Sequence, residues 1–126
     1  MKTIFLFFFL SIGSICHAQN IRLRAKFYET KIGETKTQEE SNKLLIFDID
    51  KMNLTIYGNP SERFDFYESF EIDEKTFMFP SLDSLGMEFA IEYYIGDEFI
   101  YITIQKPTEN EEGSFDHRMY VCEILE

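Results

Sequence analysis

His117 and Cys122 are the residues of this sequence best suited to nucleophilic or metal chemistry, since an imidazole base beside a thiol is the start of a cysteine hydrolase. With carboxylates added, the same pair could begin a zinc site. The spacing argues against both. Five residues apart on an extended strand is an odd separation, which sends the two side chains to opposite faces. Within Tyr120-Val121-Cys122-Glu123-Ile124, the thiol reads instead as a small buried hydrophobe.

Carboxylates are the next candidates, because a facing pair can perform glycosidase chemistry. Asp48 with Asp50, and Glu88 with Glu92, fall on shared strand faces, but 23 Asp and Glu in a small chain produce such pairs as solvated surface. Asp48-Ile49-Asp50 with Asn53 is oxygen-rich, yet it lacks the glycine and closing glutamate of a calcium loop. Glycine-rich phosphate loops, nucleophile elbows and His-Glu zinc helices are missing from the sequence. The expectation is a protein that is not an enzyme, with no catalytic residues, no metal and no cofactor.

Aromatic content stands out instead. The hairpin Phe89 to Ile104, turning at Gly96-Asp97, sets Tyr93 against Ile100, Ile91 against Ile102 and Phe89 against Ile104 on one face. The other face carries Tyr94 opposite Phe99 and Tyr101 opposite Glu92. With the aliphatic face in the core, Tyr94, Phe99 and Tyr101 look outward and are the expected partner-binding residues.

The elements that must position these residues follow from a pattern of alternation. Residues 1–18 read as a secretory signal peptide: Lys2, then an apolar run from Ile4 to Ile15, then Ala18 before the cleavage point. Cys16 is preceded by Ile15 and Gly13 where a lipoprotein signal wants other residues, which argues against lipidation. The mature chain, 19–126, is one domain expected to be secreted or periplasmic. Lys2 leaves with the leader, so 11 of the 12 Lys and Arg face all 23 Asp and Glu. Such acidity disfavours nucleic acid and anionic lipid surfaces, and no second apolar run is long enough for a membrane span.

Ile21 to Phe27 alternates as a half-buried strand with odd positions inward. Residues 29–42 are polar and are expected as a long loop. Lys43 to Ile49 and Leu54 to Gly58 form a hairpin around Asp50 to Asn53, with Ile49 opposite Leu54 and Phe47 opposite Ile56. Arg63 to Ile72 and Thr76 to Leu82 add strands in which Phe64, Phe66, Phe70 and Ile72 share parity. Asp83 to Gly86 is a turn with Gly86 left-handed. An acidic loop covers 107–114, and His117 to Leu125 closes the chain. The fold class is all-β: an antiparallel meander of about eight strands. Closure into a small up-and-down, lipocalin-like barrel removes its exposed edges, with a curved open sheet or sandwich as the alternative.

The stretch Leu45 to Gly58, with its Asp-bearing hairpin and Ile56-Tyr57-Gly58 ending, resembles a pattern in small secreted all-β proteins of the Bacteroidetes. Ala18-Gln19-Asn20 is similar to the end of their signal peptides. The resemblance implies an all-β fold and an extracytoplasmic site, and it transfers no functional residue. Asp83-Ser84-Leu85 is similar to the O-glycosylation acceptor triplet of these bacteria, which makes Ser84 a candidate modification site. The expected function is binding of a protein or envelope partner through an aromatic strand face. The alternative is a lipocalin-like carrier of a small apolar ligand inside the barrel.

Overall fold

The computed structural model describes residues 20–107 and 116–125; the expected leader, and the acidic loop from 108 onward, lie outside them. Among the described residues ten strands follow in order: β1 (Asn20–Ile32), β2 (Thr35–Glu40), β3 (Leu44–Asp48), β4 (Asn53–Ile56) and β5 (Glu62–Phe66). The second half holds β6 (Phe70–Asp73), β7 (Thr76–Asp83), β8 (Glu88–Ile95), β9 (Ile100–Gln105) and β10 (His117–Leu125). All neighbours are antiparallel, and β10 pairs with β1 to close the sheet into a barrel. The ring has eight places, because β2 and β3 share one beside β1, and β5 and β6 share another beside β7.

Both interruptions have local causes. Pro80 sits in β7 opposite the break between β5 and β6, with its carbonyl accepting from Tyr67 N on that side. A proline gives no N–H to the same edge, so the ladder lapses there. Between β2 and β3 the cause is a β-bulge on β1: Ala25 pairs with Cys122 and Phe27 with Val121, leaving Lys26 as the extra residue. The chain crosses that point with Ser41 N donating to Lys26 O and Ala25 N donating to Lys43 O.

The bulge also reverses the parity of β1. Ile21, Leu23 and Ala25 point into the core, but beyond Lys26 it is Tyr28 that packs against the core, while Phe27 turns out and is 39% exposed. This corrects the inward placement of Phe27. A second correction concerns 29–42, which is no loop: β1 continues to Ile32 and β2 pairs with it throughout. Every residue of β2 is exposed, so the strand has no apolar face to announce it. It is held by backbone pairing, by the Glu29–Lys36 ion pair at 3.1 Å and by the Thr30–Thr37 hydroxyl contact. Among the described residues, β2 pairs only with β1 and leaves its other edge open.

Registers differ from expectation by two residues in both hairpins. Phe47 pairs with Leu54, and Ile91 with Ile104, because each turn spans four residues and starts differently from the expected one. A shift of two preserves faces, so the expected core members stay inside. In the β5–β6 stretch the break does change faces: Phe64 and Phe66 are buried, whereas Ile72 is 60% exposed. Gly86 takes the left-handed conformation its turn requires, at φ +81°.

The middle of the barrel is filled. Phe47 lies 5.4 Å from both Phe79 and Tyr93, the latter edge-on, and Phe66 lies 4.9 Å from Phe79. Toward one end the packing becomes polar: Arg118 of β10 reaches Glu62 of β5 at 2.8 Å and lies 5.7 Å from the centre of the Phe64 ring.

Candidate functional site

The barrel exterior carries one continuous apolar stripe. Phe27 of β1 pairs with Val121 of β10, Val121 with Tyr101 of β9, and Tyr101 with Tyr94 of β8. These are direct cross-strand partners, so their side chains stand beside one another over four strands. Tyr94 and Tyr101 are 5.9 Å apart between ring centres. Tyr94, like Phe27, is 39% exposed, while Val121 between its larger neighbours is 9% exposed.

Tyr94, Phe99 and Tyr101, the three residues expected to share an outer face, do come together. They line one open depression of about 510 Å³ with Met119, Thr103 and Glu92. The pairing within it is corrected: Tyr94 meets Tyr101 and not Phe99, and Tyr101 is not opposite Glu92, which pairs with Thr103. Phe99 lies in the β8–β9 turn, where its carbonyl accepts from Gly96 N at 2.9 Å. Gly96 is needed for closeness, not for the positive φ expected of it. A Cβ there would stand 2.7 Å from a Tyr101 ring carbon and 2.8 Å from Phe99 O. The tyrosine ring therefore lies down on the glycine.

The charge lining the depression is one-sided: Glu92, Asp97 and Glu98 line it, and among the described residues no Lys or Arg does. Nearer Phe27 the charges are paired, Lys26 with Glu123 at 3.3 Å and Lys36 with Glu29 at 3.1 Å. Phe27 is flanked across the strands by Glu40. Aromatic faces ringed by carboxylates attract cations carried on apolar stems, such as Arg and Lys side chains.

Phe27, Val121 and Met119 were not legible as members of this surface. The available signal was Met119-Tyr120-Val121-Cys122, apolar at both parities, which marks a strand covered on both faces. Phe27 needed the bulge to be known.

The remaining candidates are placed as follows. Cys122 is buried and faces the core, and burial pushes its thiol up to about 12. His117 is half-buried and pairs with Lys31 and Gln105. Asp48 accepts from Lys51 N at 3.1 Å, serving its turn, and Asp50 lies exposed in that turn, not on the strand face expected of it. Ser84 is exposed in the β7–β8 turn, where Asp83 Oδ1 accepts from both Leu85 N and Met87 N at 2.9 Å. Among the described residues, no cluster of three or more His, Cys, Asp or Glu could hold a metal ion, and no helix is long and apolar enough to cross a membrane. No protein-family model matches this chain, and no curated protein or solved structure matches it either.

Proposed function

We propose that this chain is a non-enzymatic binding domain, acting outside the cytoplasm, that docks a protein partner on its outer β8–β9–β10–β1 wall. The observation that carries this reading is the unbroken stripe Phe27–Val121–Tyr101–Tyr94, contiguous by direct strand pairing and bordered by Glu92, Asp97 and Glu98. A partner segment presenting Arg or Lys between apolar side chains is the complementary chemistry. The filled barrel interior favours this over a carrier that swallows an apolar ligand.

Five of the seven tyrosines lie off the stripe, so calorimetry, whose signal does not depend on the residues replaced, is the measurement. A short peptide alternating Arg with Leu should bind saturably, with affinity falling as salt rises. Tyr94→Ser with Tyr101→Ser should abolish the saturable phase while leaving the circular dichroism of the barrel unchanged. Equal binding by the double variant would overturn the assignment.

A further inference from the structure

At the end of the barrel opposite the β8–β9 turn, a second hollow of about 270 Å³ opens at the mouth. Its apolar side is formed by Tyr28, Phe89 and Ile104, all on the inner face of their strands. Phe89 stacks edge-on against Phe64 at 5.4 Å, and Tyr28 packs on Tyr120 at 4.8 Å, so this floor is rigid and aromatic. The filled core below gives the hollow a bottom. Ligand pockets begin near about 300 Å³, so only a small molecule fits.

The charge here is the reverse of the rest of the protein. Among the described residues, Lys31, Lys106 and Arg118 line the hollow against one carboxylate, Asp116, in a chain whose net charge is −11. Asp116 Oδ1 accepts from Gly33 N at 3.2 Å. Arg118 is anchored through Nη1 to Glu62, which leaves guanidinium donors to spare. Among the described residues, neither Lys31 nor Lys106 forms an ion pair. A concentration of cations above an aromatic floor, in a strongly acidic protein, is not what a solubility-tuned surface supplies.

We propose that this mouth binds a small organic anion: a carboxylate on a compact aromatic body of about ten heavy atoms. The ring lies on Tyr28, Phe89 and Ile104, and the carboxylate meets Lys31 and Lys106 at the rim. The site is separate from the outer stripe and stands or falls without it.

The test is a calorimetric and NMR titration of the mature chain with 4-phenylbutyrate, and in parallel with 4-phenylbutanol, which has the same body without the charge. The expected result is saturable binding of the acid, weakened by salt, with the alcohol about tenfold weaker. Shifts should fall on Tyr28, Phe89 and Ile104. Lys31→Gln with Lys106→Gln should reduce the acid to the affinity of the alcohol and leave the alcohol unchanged. Equal affinity of acid and alcohol, an unaffected double variant, or no saturable binding of the acid would each overturn the proposal.

Discussion

Arg118 and Glu62 stand on strands four places apart in a ring of eight, and their side chains meet at 2.8 Å across the full width of the barrel. Burial works against the guanidinium's charge and is the largest single influence, but the Glu62 hydrogen bond and charge, joined by Tyr120 and Tyr28, together outweigh it and hold the Arg118 pKa above its usual value. The pair thus ties two opposite walls together above the aromatic core.

Glu62→Ala should destabilise the fold by about 1–2 kcal/mol. The side chains are 25% and 39% exposed, which places the pair between a surface ion pair and a buried one. Urea unfolding should show a lower midpoint with an unchanged slope. A midpoint equal to wild type would mean the bridge adds nothing to closure.

Gly96→Ala should lower stability by about 1–2 kcal/mol and also weaken the proposed docking wall. The new methyl would overlap both Phe99 O and the Tyr101 ring, and the backbone contact offers no flexible end to yield. Thermal denaturation and the Arg–Leu peptide titration report the two effects. Loss of stability with untouched peptide affinity would show that Tyr101 need not move.

Alkali should unfold the protein as the pH climbs from 9 toward 12. Burial raises Cys122 and Tyr120 to about 12, and raises Tyr93 as well, the last aided by its neighbour Cys122. Each group is neutral in the fold and ionises earlier once unfolded, so their contribution is complete below the unfolded pKa and drains away above it. Circular dichroism against pH measures this, and Cys122→Ala should move the transition upward relative to its own neutral-pH stability. In the native state at pH 8, Cys122 should resist an aromatic disulfide reagent and react only in denaturant. Rapid native modification would contradict its burial.

Phe47→Ala should cost about 3–5 kcal/mol, and Phe47→Leu distinctly less. Phe47 is fully buried and its ring meets those of Phe66, Phe79 and Tyr93, so truncation opens a hole that three aromatic rings cannot all close. Paired urea curves give both values; equal losses for Ala and Leu would argue that the cluster collapses around the gap.

Which residues face the core was largely legible in the sequence, because strand alternation survives an error of two in register. Tyr93, Ile91, Ile102 and Ile104 are inside whichever turn closes their hairpin. Tyr94, Phe99 and Tyr101 could be grouped for the same reason. Single-residue events were hidden. Lys26 looks like an ordinary strand residue, and Phe27 and Tyr28 are equally good core candidates until the bulge chooses between them. β2 was invisible because its pairing is made by backbone and polar side chains alone. The mouth could not be read at all: Glu62 and Arg118 lie 56 residues apart, and only the closure of β10 on β1 brings them together.

The open edge of β2 matters for how the molecule behaves in company. A free strand edge is a template on which identical chains can stack without limit. Here that edge bears Lys36, Glu39 and Glu40 on a short strand with no apolar side chain, so a second copy pairing along it would bury no apolar surface in return. The composition that concealed the strand is also its gatekeeper against fibril growth.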